Sequence, residues 1–272
     1  MEGLTDVREL KLSTPFGNPS DVIVTGTLEG TRVAFLPRHG RGHRISPTEL
    51  PVKANIYALK SLGVDRVISI NAVGSLKEEI RPLDLVVPDQ LIDRTRFRDS
   101  TFFSNGIVAH IAFADPFCPI VRRVVTQAAV EAGARVHSGG VYLVIEGPQF
   151  STRAESHLYR SWGIDIIGMT SLPEAKLARE AEICYASLAF ISDYDCWHPE
   201  HDSVTTEMIL GNMKRSLATV QRVLRLAVGR FPAQRDCACA TALKDAIVTP
   251  ASHIPQVTRR QLDWLIGKYM ER

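Results

Sequence analysis

The chain lacks several features that would narrow its function at once. No apolar run approaches the roughly 18 residues of a membrane-spanning helix, and Met1-Glu2-Gly3-Leu4-Thr5-Asp6 has no secretory-signal pattern. A cytoplasmic protein with no membrane partner is therefore expected. Charge of one sign is missing as well. The formal net charge is +2 over 272 residues, so charge alone implies no nucleic acid or other polyanion. No Walker loop, G-x-S-x-G elbow or G-x-G-x-x-G fingerprint occurs, which leaves NTPase, serine-hydrolase and dinucleotide-binding readings without support. Cysteine is sparse. The five cysteines, Cys118, Cys184, Cys196, Cys237 and Cys239, are scattered, unlike a secreted disulfide framework. Only Cys237-Ala238-Cys239 stands out, as a redox pair or half a metal site. No second cluster completes a zinc set, so a tail feature without catalytic work, and no metal, is expected.

What is present is an ordinary folded composition, 45% hydrophobic and 23% charged, enough to bury a sizeable core. Strand-like and helix-like runs alternate. Residues 22–28 and 32–36 flank Glu29-Gly30 as a hairpin. Residues 53–62 read as a helix stopped by Gly63. A strand over 64–70 closes at Asn71-Ala72-Val73-Gly74, and 84–88, 141–145, 164–167 and 184–191 follow as strands. Helices are expected over 120–132, 151–162 with Ser151 as N-cap, 173–181 and 205–228. This rhythm predicts a single α/β domain with a central mixed twisted sheet flanked by helices on both faces. After Phe231-Pro232 a helical tail, 234–272, packs on a body through Ile247, Leu262, Trp264 and Leu265. Whether that body is the same subunit stays open.

In open α/β sheets ligands sit beyond the carboxyl ends of strands, and several such ends here are polar. Phe35-Leu36-Pro37-Arg38-His39-Gly40-Arg41-Gly42-His43 ends an apolar run in two arginines and two backbone-permissive glycines, which points to an anion site. Its two histidines, four apart, would make a metal pair only on a helix, which the glycines oppose. His198-Pro199-Glu200-His201 reads as a polar surface loop. Asn71-Ala72-Val73-Gly74-Ser75 has the look of a backbone nest for an anion. Ser192-Asp193-Tyr194-Asp195 is chemically the sharpest. Two carboxylates on one face of a buried strand end repel, so one holds a proton near neutrality and serves as a general acid; an Asx turn or a metal site is the plainer alternative. Phe150 either stacks on a flat ring or fills core, and Met169 alone would be taken as core.

Four segments together carry a resemblance. They are Phe35-Leu36-Pro37-Arg38-His39-Gly40, residues 146–155 (Glu146-Gly147-Pro148-Gln149-Phe150-Ser151 onward), Gly168-Met169-Thr170-Ser171-Leu172-Pro173-Glu174, and Ser192-Asp193-Tyr194-Asp195-Cys196-Trp197. Over residues 3–228 the chain resembles the trimeric purine nucleoside phosphorylase family, in its methylthioadenosine-acting branch. The resemblance implies a phosphorylase/hydrolase-like fold, with a nucleoside phosphorylase domain over 1–231 and a C-terminal extension over 232–272 packed on the domain or on a neighbouring subunit. It implies phosphorolysis of methylthioadenosine to adenine and 5-methylthioribose 1-phosphate, with no metal or organic cofactor. A homotrimer, or a dimer of trimers, is implied as the assembly.

By the same resemblance Arg38, His39, Asn71, Ala72 and Thr170 would bind phosphate, Ala72 through its N–H; Asn71 stands where animal members have threonine. Met169 would line the ribose, and Phe150 with Ser151 the purine. Asp193 would protonate N7 and Asp195 accept from the 6-amino group. Ile209 and Leu210, with His110 of a neighbouring subunit, would meet the methylthio group. Relatives acting on 6-oxopurines carry asparagine at this position, so the aspartates select adenine, with methylthioinosine or a general purine nucleoside as the alternative. The family opens with a strand and a Gly-Gly-Ser/Thr-Gly phosphate loop that would precede Gly3. A misplaced start is the expected explanation; truncation and a non-catalytic nucleoside binder are the others.

Overall fold

The computed structural model describes residues 1–199 and 204–270. Its first strands, β1 (Thr5–Leu10), β2 (Ile23–Leu28) and β3 (Thr31–Phe35), make a separate three-stranded antiparallel sheet. Glu29 and Gly30 both take positive φ at the expected hairpin turn. Helix α1 (Val52–Ser61) is followed by Gly63 at φ 78°, the left-handed stop that glycine provides.

The second sheet has seven strands. They are β4 (Arg66–Ser75), β5 (Leu85–Val87), β6 (Gln90–Arg94), β7 (Val136–Ser138), β8 (Val141–Ile145), β9 (Ile166–Gly168) and β10 (Cys184–Asp193), in the order β6-β8-β9-β4-β10-β5-β7. It is mixed: β4 runs parallel to β10 over most of their ten-residue lengths, while β9 and β5 pair antiparallel to them. Helices α2 (Pro119–Glu131), α3 (Arg153–Ser161), α4 (Ser171–Glu180) and α5 (Thr206–Val228) connect or follow these strands, and α6 (Gln256–Gln261) and α7 (Asp263–Met270) close the described chain.

Every residue of β10 is buried, so its side chains must serve two cores. Tyr185, Ala189 and Ile191 join a cluster with Ala175, Ala178 and Ile56 from α4 and α1. Cys184, Ala186, Leu188 and Phe190 join another with Val121, Val125 and Val223 from α2 and α5. The period of two thus divides one strand between helices on both faces, as expected for a buried central strand.

Residues 232–270 reach both faces. Leu243, Ile254, Leu262, Leu265 and Ile266 belong to the first cluster, whereas Cys237 and Cys239 meet the second. Buried Glu182 anchors this segment, accepting from the Leu243 N–H (3.1 Å) and the Tyr269 hydroxyl (2.5 Å) while pairing with Lys268 (2.5 Å). These contacts lie within one chain. Trp264, expected to pack inward, is 57% exposed; Leu262 and Leu265 occupy the inward positions of that turn.

Three other expectations are corrected. The strand expected to close at Asn71 continues to Ser75, because its partner β10 continues beside it. Thr152, not Ser151, caps α3: its hydroxyl accepts from the Glu155 N–H at 3.2 Å while Glu155 reaches back to the Thr152 N–H at 2.7 Å, a reciprocal capping box. Strands β1, β6 and β7 were not anticipated. β1 is almost wholly exposed and β6 is Gln-Leu-Ile-Asp-Arg at a sheet edge, so neither shows the alternation of a half-buried strand.

Candidate active site

Arg38 leaves β3 through Pro37 and turns under β4. Its Nε and Nη2 grip the two carboxylate oxygens of Glu174 at 2.8 and 3.0 Å, and Nη2 also meets the Ser69 hydroxyl. Nη1 donates to Asn71 Oδ1 (3.2 Å) and Thr170 Oγ1 (3.1 Å). Glu174 further accepts from Ser69 Oγ (2.7 Å) and Tyr185 Oη (2.9 Å), and Asn71 donates to Ser187 Oγ (2.7 Å). Burial raises the cost of ionised Glu174, but the Arg38 guanidinium outweighs it and holds the carboxyl below its ordinary value. The sequence reading missed Glu174, although it sits in the Gly168–Glu174 motif. A lone Pro-Glu at a helix start gives no sign that its carboxylate turns inward.

The rest of the arginine loop divides. His39 is half-buried, with Nδ1 2.8 Å from the Ile45 carbonyl and its ring stacked on His43 at 4.3 Å; burial lowers its pKa. Gly40 and Gly42 have φ of 71° and 81°, so the loop turns where only glycine does so freely. Arg41 faces outward to Glu9, both side chains 56% exposed, and is not part of this cluster. Residues 71–75 are extended strand rather than a nest. Asn71 is buried and Ala72 exposed.

At the far end of β4, Asp193 and Asp195 are 4% and 5% exposed. Strand register slips between Ile191 and Asp193, and Asp195 has φ 52°. The two carboxyls therefore come together through a bulge and a left-handed residue, not through strand alternation. Asp193 Oδ1 accepts the Asp195 N–H at 2.7 Å and Oδ2 the Ser192 hydroxyl at 2.5 Å. Burial pushes the Asp193 carboxyl up to about 6, and the Asp195 charge adds only a small push. Desolvation, not like-charge repulsion, is thus the main cause, a correction to the sequence reading. Asp195 is also raised, again chiefly by burial. A Cβ on Gly74 would lie 2.8 Å from Asp193 Oδ1, so glycine lets β4 pass against the carboxylate. Asn71, which touches Arg38, is three residues from Gly74 along β4, about 10 Å.

Arg98, also unanticipated, straps two neighbouring segments together. Its Nε pairs with Glu146 (3.0 Å), and Nη1 donates to the carbonyls of Met169 (2.5 Å) and Leu172 (2.7 Å). The side chain is nearly sealed from solvent. Met169 is half-buried against Gly147, and Phe150 is 42% exposed, which removes the core reading for that ring. The Ser151 hydroxyl is buried beside the Asp195 carboxyl, whose ionised form it favours, and Cys196 Sγ lies 3.3 Å from the Ser151 carbonyl. Ile209 is half-buried and Leu210 exposed in the first turn of α5. His110 is exposed beside residues 246–248, where its N–H bonds the Ala246 carbonyl.

Among the described residues one group of three or more metal-type ligands is close enough to share an ion, and it is not in this cleft. Cys118 and Cys184 meet Cys237 and Cys239. The expectation that nothing completes a four-ligand set with the Cys-Ala-Cys pair is corrected: residues remote in sequence supply the other half. Of the histidine-rich loop, His198 bonds Glu78 at 3.1 Å; Glu200 and His201 lie outside the described residues.

A buried arginine–carboxylate network at the middle of β4 and a buried acid pair beyond its carboxyl end thus lie along one strand. The family model of the phosphorylase superfamily matches residues 2–228, and the chain belongs to this superfamily. Among curated relatives, an S-methyl-5′-thioadenosine phosphorylase of Geobacter sulfurreducens is 56% identical over 99% of this chain and 95% of its own length. One of Koribacter versatilis is 55% identical over 99% and 92%. A solved methylthioadenosine phosphorylase from an antarctic soil metagenomic library superposes with TM-score 0.93 at 49% identity, covering 97% of this chain and 94% of that one. The Schistosoma mansoni methylthioadenosine phosphorylase solved with adenine gives 0.86 at 35% identity, over 90% and 95%.

Proposed function

We propose that this chain is an S-methyl-5′-thioadenosine phosphorylase, a pentosyltransferase that moves the 5-methylthioribosyl unit onto inorganic phosphate and releases adenine. The observation that carries the reading is the placement of Asp193 and Asp195, buried and without a cationic partner among the described residues, one strand-length segment from Arg38, Asn71 and Thr170, in a chain so similar to curated enzymes of that activity.

Phosphate would be held by Arg38 Nη1, Thr170, His39, Asn71 and the Ala72 N–H. Arg38 keeps Glu174 through Nε and Nη2, while Nη1, which donates to Asn71 Oδ1 and Thr170 Oγ1, would turn to phosphate as the ligand displaces those contacts. The Arg38–Glu174 pair stays neutral overall, so phosphate is met by aimed donors rather than by a bare positive charge. The purine would lie at Phe150 and Ser151, the ribose at Met169, and the methylthio group at Ile209 and Leu210, with His110 from a neighbouring subunit of a homotrimer. Residues 1–231 would form the phosphorylase domain, with 232–272 its extension. The enzyme would work in the cytoplasm with phosphate as co-substrate and no organic cofactor or catalytic metal.

As the C1′–N9 bond breaks, its electron pair passes to the purine and the ribose gains oxocarbenium character. A phosphate oxygen forms the new bond to C1′, and Asp193 gives its proton to N7. Asp195 accepts from the 6-amino group, which disfavours a 6-oxopurine. Ser192 helps Asp193 alternate between its two states. Its hydroxyl donates to ionised Oδ2 (2.5 Å) and has the Val73 carbonyl at 3.2 Å as a second acceptor when Oδ2 carries the proton.

The test is adenine release from methylthioadenosine with and without phosphate. Release that depends on phosphate, with 5-methylthioribose 1-phosphate as co-product, is the expected result. Release undiminished in phosphate-free buffer would mean hydrolysis, and binding without turnover would mean a nucleoside-binding homologue.

A further inference from the structure

The purine–phosphate cleft does not use four of the five cysteines, yet the fold gathers them from three distant places. Cys118 is the N-cap of α2, Cys184 opens β10, and Cys237 and Cys239 flank Ala238 in the extension. Their four Sγ atoms lie within 4.8 Å of one another, with Cys118 to Cys237 at 3.7 Å and Cys184 to Cys237 at 3.3 Å. A tetrahedral zinc with Zn–S of about 2.3 Å sets sulfur–sulfur edges near about 3.8 Å. We propose that Cys118, Cys184, Cys237 and Cys239 bind one thiophilic divalent ion, Zn²⁺, that fastens residues 232–270 to the sheet.

The local backbone suits this. Cys237 is extended (φ −100°, ψ 153°) and leads into a 3-10 turn that holds Cys239, and the two thiols lie within 4.8 Å of each other. The Val121 N–H in the first turn of α2 points to the Cys118 sulfur. Cys118, Cys184 and Cys239 are almost fully buried and Cys237 is half-buried, which leaves one side for the ion to enter. Packing alone would not require sulfur, since a thiol in a dry core behaves as a small hydrophobe. Cys196 is the contrast: it lies beside Asp195, outside the group. Binding involves no change of oxidation state. Each S–H releases its proton to solvent and the sulfur lone pair bonds the ion. The proposal is independent of the proposed reaction, because Cys184 faces the cluster of α2 and α5 while Tyr185 and Glu174 lie on the opposite side of β10.

The experiment measures metal content by mass spectrometry and free thiols in the full-length chain, purified from zinc-containing medium and desalted. About one zinc per chain is expected, with five thiols titrating in denaturant plus chelator and no reductant. Cys237→Ser should bring zinc below about a tenth of an equivalent, while Cys196→Ser keeps it. If Cys237→Ser does not fold, Co²⁺ exchanged into the unaltered chain should give thiolate-to-cobalt charge transfer and tetrahedral d–d bands. Metal-free protein with five titratable thiols overturns the proposal, and so does metal-free protein with one, which would mean two disulfides.

Discussion

The two ends of the cleft handle buried charge in opposite ways. At the anion end Arg38 meets Glu174 through two hydrogen bonds, and Ser69 and Tyr185 occupy Glu174 as well. Charge is retained there because it is matched. At the base end, burial pushes Asp193 toward its neutral form. One end holds a fixed ion pair; the other holds a carboxyl that titrates nearer neutrality than a free one. The difference follows from one rule, that a buried charge is either paired or neutralised.

The comparison breaks most severely if matching is removed. Glu174→Ala leaves the Arg38 guanidinium buried without a counter-charge, an expected loss of about 3–5 kcal/mol, read in urea unfolding. Glu174→Gln should lose less, because the amide oxygen still accepts from Arg38. Equal stability of Glu174→Ala and the parent chain would show that the pair is not holding the anion end.

Asp193→Asn tests the other end. Adenine release should fall by about 10²–10⁴-fold. The same change should stabilise the fold at pH 8. Because the folded pKa lies above the ordinary value of 3.8, the native chain binds more protons than the unfolded chain between about pH 4 and about pH 6. Stability therefore falls as pH rises through that window and remains lower above it. Ionised Asp193 costs about 3 kcal/mol at neutral pH, and asparagine removes that cost while still accepting from the Asp195 N–H. A rise in Tm at pH 8, with none at pH 4, is expected.

Ser192→Ala should have a smaller effect. Loss of its hydrogen bond to ionised Asp193 raises the pKa further, so the alkaline limb of the kcat profile should move up by roughly one pH unit. A downward move would contradict the assigned direction. Thr152→Ala should have the least effect, costing about 1 kcal/mol through the lost cap of α3 and lowering Tm by roughly 2–4 °C.

How much of this was legible in the sequence depended on the range of the interaction. The hairpin at Glu29-Gly30 and the stop at Gly63 were readable because glycine carries its conformational signal locally. The largely apolar run of 184–191, broken only by Ser187, was readable as a strand. The acid pair was visible as a pattern, but its geometry was not: a register slip and the left-handed Asp195, not alternation, bring the carboxyls together. Glu174 and Arg98 were invisible as site residues, since an acidic residue after proline and an arginine in a polar loop look like ordinary surface. The four cysteines lay in plain view, and only their meeting was hidden.

By itself the sequence determined the alternation of elements, the glycine-marked turns and the chemical kinds gathered at each strand end, because these depend on side-chain period and local backbone preference. Tertiary structure alone decided which charges are paired, which carboxyl keeps its proton and which thiols share a centre. Those outcomes depend on burial and on distances between residues far apart in the chain, and only the folded packing of sheet, helices and extension fixes either one.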